Sequence, residues 1–175
     1  MFFSRQTAAS KGSMKHFIAT LLCLLSGAGE VLAAGVSADA LPTNGQVVAG
    51  AATINTAGTS AAPVMNVNQT SQRAIVNWDK FDVGTNSTVN FNQPNANAST
   101  LNRVNGATAS MINGAVNSNG QVIFVNPNGV IFGKGAEINT GGIVATTMNI
   151  SDKDYMDGKN TYSGNGTGKV VNRGR

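Results

Sequence analysis

Acidic residues are the first candidates for chemistry in this chain, because a glycosidase needs two carboxylates held at a fixed gap. Asp79 and Asp82 are the only two acidic residues that lie close together before residue 150. The offset between them is odd, so on a β-strand their side chains would point to opposite faces of the sheet. This pair therefore does not predict a hydrolytic centre.

No nucleophile or general base stands out in the rest of the sequence. The one histidine and the one cysteine are His16 and Cys23, and both precede Ala34. Serine and threonine are plentiful, but the sequence has no G-x-S-x-G motif to set a serine on a strained turn. General acid–base and nucleophilic catalysis both need such groups. We therefore predict that the protein is not an enzyme.

A later acidic group has a spacing that could suit calcium. Asp152, Asp154 and Asp157, followed by Gly158, form the pattern D-x-D-x-x-D-G. This pattern misses an EF-hand loop by one residue and lacks its distal glutamate. It also lacks the glycine-rich nonapeptide repeat of calcium-binding β-rolls. We expect a solvated loop here, and we predict neither a metal ion nor another cofactor.

Three aromatic residues, Trp78, Phe81 and Phe91, have two interpretations. They could form a platform on which a carbohydrate ring stacks, or they could fill the core, where large aromatic side chains dominate burial. Basic residues are scattered and do not alternate with aromatic ones, so the sequence does not predict nucleic-acid binding. For Arg103, the candidate ion-pair partners are Asp79, Asp82 and Glu137.

The N-terminus has the three regions of a secretory signal peptide. Basic residues precede an apolar stretch, FIATLLCLL at 17–25, which is too short to span a bilayer as a mature helix. We predict a signal peptide over residues 1–33 with cleavage after Ala33, and 26–28 and 38–40 are alternative positions. The mature chain would have no cysteine and no stable membrane insertion, so something other than disulfides must stabilise it.

From residue 41 onward, short apolar runs alternate with turns rich in Asn and Gly. Such runs are too short for helices but fit the strands of a stacked sheet, so we expect almost no helix. The predicted strands are 46–50, 63–68, 74–78, 88–91, 100–104, 110–112, 121–125, 130–132, 136–139 and 143–147. Asparagines stacked about 4.8 Å apart could form hydrogen-bonded ladders across such strands.

The spacing of apolar residues predicts a solenoid. Ile112, Ile131 and Ile150 are equally spaced along the chain, and Ile123 and Ile143 are separated by nearly the same interval. Fixed periods of about 20 or more residues are typical of solenoid proteins. We therefore predict an all-β solenoid with coils of about 19–20 residues and with the first three isoleucines in one inward stack. A cap near residues 41–62 would protect the terminal coil from unwanted pairing.

Seven segments, in order, carry a resemblance to a known family. They are LPTNGQVVAG (41–50), VNWDKFDVG (76–84), VNFNQPN (89–95), LNRVNG (101–106), ING (112–114), GQVIFVNPNGVIFG (120–133) and GIVATTMNIS (142–151). The chain resembles the N-terminal secretion domain of filamentous-haemagglutinin-like exoproteins, the passengers of two-partner secretion in Gram-negative bacteria. The resemblance covers residues 41 to about 164.

This resemblance implies a right-handed parallel β-helix that is not an enzyme. It implies that the periplasmic modules of a dedicated outer-membrane transporter bind the unfolded chain, which then folds at the cell surface. The secretion domain would occupy residues 41–175, and the protein would be secreted or displayed on the cell surface. We also expect further coils beyond residue 175, together with an adhesive or toxic part that contacts the host.

Two turn motifs of the family have equivalents here, and the resemblance implies a role for them in folding or in transporter recognition. The residues are Asn92, Gln93, Pro94 and Asn95 in the first motif, and Asn126, Pro127, Asn128, Gly129 and Val130 in the second. The second motif matches without change, and its proline presets φ for a turn. Two other functions stay open: a stand-alone surface module that binds glycan or host protein, and a β-helical enzyme that degrades polysaccharide.

Overall fold

The structure, a computed structural model, describes residues 35–175. The predicted signal peptide lies outside the described residues. Residues 35–175 contain thirteen strands and one short helix, and no helix in this region is long and apolar enough to cross a membrane. The elements are β1 (Gln46–Ala49), β2 (Ala52–Thr59), β3 (Ala62–Gln69), β4 (Arg73–Trp78), β5 (Thr88–Asn92), β6 (Ser99–Val104), β7 (Ser110–Ile112), β8 (Ala115–Ser118), β9 (Gln121–Val125), β10 (Val130–Phe132), β11 (Glu137–Asn139), β12 (Gly142–Thr146), α1 (Asp152–Met156) and β13 (Val170–Asn172).

These strands form three sheets. Sheet 1 has the order β1-β4-β6-β9-β12, sheet 2 the order β11-β8-β5-β3-β2, and sheet 3 the order β13-β10-β7. Each full coil contributes one strand to each sheet, as β5, β6 and β7 do before β8, β9 and β10. From β3 onward every pairing between neighbouring strands is parallel. The chain is therefore a β-solenoid, as predicted, and each of the ten predicted strands has a counterpart.

Two strands of opposite direction cover the first coil. β1 pairs antiparallel with β4, and β2 pairs antiparallel with β3. These strands occupy the outer positions of sheets 1 and 2, so the first coil does not present unpaired backbone groups at those edges. They form the N-terminal cap that we expected near residues 41–62.

The coils are longer and less regular than predicted. In sheet 2, Asn66 and its register partner Asn90 are 24 positions apart in the chain. The next interval, from Asn90 to Asn117, is 27 positions, and the last, from Asn117 to Asn139, is 22. The repeat varies because turns of different lengths lie between strands that stack on one another.

The predicted inward stack of Ile112, Ile131 and Ile150 is therefore wrong. Ile112 is buried in the inner core and pairs with Phe132, whereas Ile131 pairs with Met111, faces away from the inner core and is partly exposed. Ile150 belongs to a separate cluster outside the solenoid. A shift of one residue exchanges the two faces of a strand, so a small error in coil length placed Ile131 on the wrong side.

The inner core lies between the three sheets and is rich in aromatic residues. Trp78, Phe81 and Phe91 are each no more than 1% exposed, and the ring centroids of Phe81 and Phe124 are 4.9 Å apart. The indole N–H of Trp78 donates to Oδ1 of Asn102 at 3.0 Å, so its polar atom is satisfied inside the core. The three aromatic residues are therefore core residues and do not form a carbohydrate platform.

A second cluster lies on the outer face of sheet 1, beneath the segment that contains α1. Asp152 and Asp154 lie in this helix instead of the expected loop, and Asp157 is its C-cap. The helix begins after Ser151, whose Oγ accepts a hydrogen bond from N of Asp154 at 3.0 Å. Such N-capping satisfies a backbone donor that the first helical turn leaves free.

Candidate functional site

The second predicted motif forms a closed turn between β9 and β10. N of Gly129 donates to the carbonyl of Asn126 at 3.0 Å, which places Pro127 at the second position of a β-turn. The side chain of Asn126 also accepts a hydrogen bond from N of Asn128 at 2.9 Å. Gly129 adopts a φ of 117°, a conformation that residues with a side chain rarely adopt. The local geometry thus explains each residue type in this turn.

Asn126 fastens the turn to the preceding coil. Its side chain is fully buried, and Nδ2 donates to the carbonyl of Thr108 and to Oγ of Ser110, both at 3.0 Å. Asn128 adds a hydrogen bond from Nδ2 to the carbonyl of Gly106 at 2.9 Å. Loss of the Asn126 amide would leave the buried hydroxyl of Ser110 without this donor, and this costs more than a solvent-exposed bond contributes.

The following coil covers the other side of the same turn. N of Val130 donates to the carbonyl of Lys169 at 3.0 Å, and Val130 is itself fully buried. A Cβ on Gly129 would lie 2.8 Å from that carbonyl, so the space does not admit a side chain. The turn is therefore enclosed between two coils, and of its four residues Pro127 and Asn128 remain exposed.

The first predicted motif is built differently. Asn92 and Pro94 are exposed, but Gln93 is only 7% exposed and its side chain enters the interior between sheets 2 and 1. Nε2 of Gln93 donates to Oγ1 of Thr100 at 2.9 Å and to the carbonyl of Gln121 at 3.0 Å. Gln93 therefore joins this corner to another part of the solenoid through the hydrogen bonds of its buried amide, as Asn126 does at the other corner.

The backbone of this corner is held by the next coil. N of Gln93 donates to Oδ1 of Asn119 at 2.8 Å, and Nδ2 of Asn119 returns a bond to the carbonyl of Gln93 at 2.7 Å. The turn itself starts at Asn95, whose carbonyl accepts from N of Ala98 at 3.2 Å and whose Oδ1 accepts from N of Asn97 at 2.9 Å. The turn is thus shifted along the chain relative to the predicted motif.

Buried polar side chains connect three successive coils at this corner. Oγ1 of Thr100 donates to Oε1 of Gln69, and Oγ of Ser118 donates to Oε1 of Gln93. Sequence reasoning missed Gln69, Thr100 and Asn119. The one available signal was the alternation along β3, where Gln69 follows the buried Val67 at a spacing of two residues.

Asparagines stack across the outer face of sheet 2, as predicted. Nδ2 of one residue donates to Oδ1 of its neighbour at 3.0–3.4 Å, across all five strands. The ladder consists of Asn55, Asn66, Asn90, Asn117 and Asn139. A groove of about 390 Å³ lies beside the ladder and extends to the Gln93 corner. Each amide group has a second N–H, so this face can still donate hydrogen bonds to a polar ligand.

The structure does not bring the two motifs together. Gln93 bonds to the first residue of β9, Gln121, whereas Asn126 follows the last residue of β9, Val125. Five strand residues span about 17 Å at 3.3 Å per residue. The motifs therefore form two separate corners, at opposite ends of the strands of sheet 1.

The acidic pair considered for hydrolysis has a structural role. Oδ2 of Asp79 accepts a hydrogen bond from Nδ2 of Asn44 at 2.6 Å, and Oδ1 of Asp82 accepts one from N of Met111 at 2.8 Å. In the region that the structure describes, no three His, Cys, Asp or Glu side chains are grouped so that they could hold a metal ion.

Arg103 does not pair with any of the three acidic residues predicted for it. Its guanidinium instead forms an ion pair with Asp152, with 2.7 Å between Nη1 and Oδ1. The prediction was wrong because the segment around α1 folds back over the outer face of sheet 1, and linear spacing does not reveal such a return.

The other two acidic residues of this group, Asp154 in α1 and Asp157 at its C-cap, are also paired with basic ones. Hydrogen bonds from Ser151 and Lys159 lower the pKa of Asp154, and the hydrogen bond and charge of Lys153 lower the pKa of Asp157. These groups are exposed, so the pairs contribute little to stability. They do show that the D-x-D-x-x-D-G pattern serves a short helix.

The sequence matches a known family over the whole region that folds into the solenoid. A family model described as the TPS secretion domain matches residues 34–175. The chain belongs to the TPS secretion domain family. It is a secretion domain of a two-partner exoprotein, without enzymatic activity, of the kind recognised by an outer-membrane transporter. This confirms the family and the function that the seven segments predicted.

Two relatives share part of this chain. One is a heme/hemopexin-binding protein of Haemophilus influenzae (strain ATCC 51907 / DSM 11121 / KW20 / Rd), 39% identical over 137 residues, with 78% of this chain covered. Another Haemophilus influenzae protein of the same name is 39% identical over 130 residues, with 74% covered. In both comparisons the chain spans 14% of the relative's length.

A solved structure has a similar fold. The crystal structure of the HMW1 secretion domain from Haemophilus influenzae superposes with a TM-score of 0.67 at 34% sequence identity. The match covers 76% of this chain and 35% of that one. The TPS secretion domain described here therefore shares the β-solenoid architecture of that domain.

Proposed function

We propose that residues 41–175 are the export signal of a longer haemagglutinin- or adhesin-type exoprotein, bound before folding by the periplasmic modules of its transporter. Residues 1–33 would direct the chain to the periplasm as a cleavable signal peptide. Outside the cell, the capped first coil would nucleate the solenoid. Three properties support this proposal: the family, the absence of cysteine after Cys23, and coils that bury apolar area only against one another.

We propose that the transporter recognises residues of the second motif directly, before the chain folds, and that this role is additional to the role of the motif in the fold. The supporting observation is that the folded turn leaves Pro127 and Asn128 exposed, so packing in the fold itself does not explain why a proline and an asparagine stand there. Asn128 contributes one hydrogen bond to the fold, from an exposed position, so the fold alone requires it less than Asn126. Recognition by strand addition to a transporter module would use the extended runs on either side of the turn.

An export assay tests this proposal. The full chain would be co-expressed with its transporter, and the fraction in the medium and on the cell surface would be measured by immunoblot. The variants are Asn126→Ala, Asn128→Ala and Pro127→Ala, with Asn139→Ala as the matched control. Asn139 is exposed and makes one side-chain hydrogen bond at the end of the ladder, as Asn128 makes one in the turn.

The two roles of the motif predict different patterns. If the transporter reads the motif, Asn128→Ala and Pro127→Ala reduce export while Asn139→Ala does not. If the motif acts through folding alone, export falls in proportion to lost stability, and Asn126→Ala is then the most severe variant. Normal export of all three motif variants would refute a role in recognition.

A stand-alone binding module is the second candidate, and the groove beside the asparagine ladder favours it. Aligned amide groups with unused N–H donors suit a polar, uncharged ligand such as a glycan. Normal export combined with lost cell binding in Asn90→Ala and Asn117→Ala variants would favour the binding module.

A further inference from the structure

An apolar stripe crosses the outer face of sheet 1. It consists of residues that are aligned in register from strand to strand: Ala49, Ile75, Leu101, Ile123 and Val144. The three central members are no more than 1% exposed, although they face away from the inner core. Strands that are buried on both faces carry continuous apolar runs, as Val122-Ile123-Phe124-Val125 does in β9.

A single segment covers this stripe. Residues 149–163, which we call the clasp, pack Ile150 and Tyr155 against it, and both side chains are no more than 1% exposed. The two ends of the clasp are joined by a pair of backbone hydrogen bonds between Asn149 and Ser163, each 2.8 Å long. Because its ends meet, the clasp is a compact surface loop that is closed at its base.

Polar contacts fix the clasp to two successive coils. The hydroxyl of Tyr155 hydrogen-bonds to Oγ of Ser99 on β6 at 2.7 Å, and the guanidinium of Arg73 on β4 lies 5.2 Å from the centre of its ring. Arg103 on β6 donates to the carbonyl of Ile150 at 2.7 Å and forms the ion pair with Asp152.

The docking surface of the clasp therefore exists only after several coils have stacked correctly. β4, β6 and β9 belong to three different coils, and each supplies one central residue of the stripe. A slip of one residue would turn that residue inward and put a residue of the inner face in its place. In β6, the same slip would also displace Ser99 and Arg103 from their partners in the clasp.

We propose that residues 149–163 are a register clasp, which docks only on three correctly aligned coils and completes folding after the inner core has formed. Because the clasp docks only on an aligned stripe, its docking stabilises the correct alignment of the coils over a slipped one. This role is independent of transporter recognition and would hold for a domain folded in the absence of any partner.

Hydrogen exchange with mass spectrometry on the full chain tests the proposal. In Tyr155→Ala, amides of the clasp should exchange roughly a hundredfold faster, because loss of a buried ring frees the clasp to open. Amides of β5 and β8 in sheet 2 should exchange at the wild-type rate. Tyr155→Phe keeps the ring and should stay within about threefold of the wild type in the clasp.

Refolding tests the order of events. Trp78 is the one tryptophan of the sequence and is buried in the inner core, so its fluorescence reports formation of that core. Pulsed hydrogen exchange during refolding should show protection of the clasp after the Trp78 signal is complete. Protection of the clasp before or together with that signal would overturn the proposal.

Two further outcomes are decisive. Equal acceleration of exchange in sheet 2 and in the clasp of Tyr155→Ala would mean that the segment is an inseparable part of one core, and would refute the proposal. If Tyr155→Ala does not fold, Asp152→Asn replaces it, because this change removes one exposed ion-pair partner and leaves the buried ring in place. Faster exchange confined to the clasp in Asp152→Asn would support the proposal. Equal acceleration of exchange in the clasp and in sheet 2 would overturn it.

Discussion

The two polar corners of the solenoid turn the chain in similar places but with different hydrogen bonds. At 126–129, a buried asparagine bonds to the backbone of the preceding coil and of its own turn. At the other corner, Gln93 bonds largely to the side chains of Thr100 and Ser118. Side chains can rotate towards other partners, whereas backbone groups within a stacked coil cannot. The corner at 126–129 should therefore tolerate substitution less well than the corner at Gln93.

The largest effect is expected for Asn126→Ala. It removes three side-chain hydrogen bonds, leaves the buried hydroxyl of Ser110 without this donor, and removes the part-buried bond to the carbonyl of Thr108. We expect a loss of about 3 kcal/mol in the free energy of unfolding. Urea denaturation followed by Trp78 fluorescence measures it, and a loss below that of the Gln93 variant would reverse the comparison.

Gly129→Ala should have the second-largest effect, at about 2 kcal/mol, because the new residue must adopt a positive φ. Its Cβ would also press against the carbonyl of Lys169, 2.8 Å away. Gly142→Ala is a suitable control, since its nearest contacts lie at 3.6 Å on a flexible side chain. The same urea titration applies, and equal losses in both variants would argue against strain as the cause.

Gln93→Leu tests the corner built on side chains. Its volume is similar, and Thr100 keeps Gln69 as a hydrogen-bond partner, so we expect a loss of about 1–2 kcal/mol. Combining Gln93→Leu with Thr100→Val removes both partners of one bond, and the double variant should cost less than the sum of the two single ones. If the losses in the free energy of unfolding of the two single variants simply add in thermal or urea unfolding, the side chains of Gln93 and Thr100 do not interact.

The smallest effect is expected for Asn128→Ala, at about 0.5–1 kcal/mol, because the lost hydrogen bond is exposed to water. This variant sharpens the comparison between folding and recognition at the same corner. A small loss of stability together with a large loss of export would show that Asn128 acts in recognition. A loss of stability equal to that of Asn126→Ala would show that Asn128 acts through the fold.

Much of the solenoid was predictable from local patterns. Runs such as Gln121–Val125 have the length and composition of strands, and the turns between them are marked by Asn, Pro and Gly. Three strands did not stand out. β2 contains Gly58 and several small residues, while β8 and β13 are short and have polar residues at their C-terminal ends. Their strand conformation depends on pairing with a neighbouring coil, which local composition does not encode.

At the candidate site, the residue types of the second motif were sufficient to predict a turn at 126–129. They did not reveal that Asn126 is buried, since an asparagine between turn residues is usually solvated. Nor did they reveal Gln69, Thr100 and Asn119, whose polar side chains meet only when three coils are stacked. The sequence thus predicted where the turns lie, but the hydrogen-bond partners of their side chains depend on the stacking of the coils.

Local features of the sequence were enough to predict a β-solenoid, because strand-length apolar runs and turn residues can be read without a fold. The secretion function followed from the resemblance of seven ordered segments to a known family. The alignment of the coils, the face on which Ile131 lies and the partner of Arg103 emerged only from the folded chain. These features depend on how many residues each turn contains and on a segment that folds back over sheet 1. Both are set by long-range packing, in which one residue more or less exchanges the inner and outer faces of a strand.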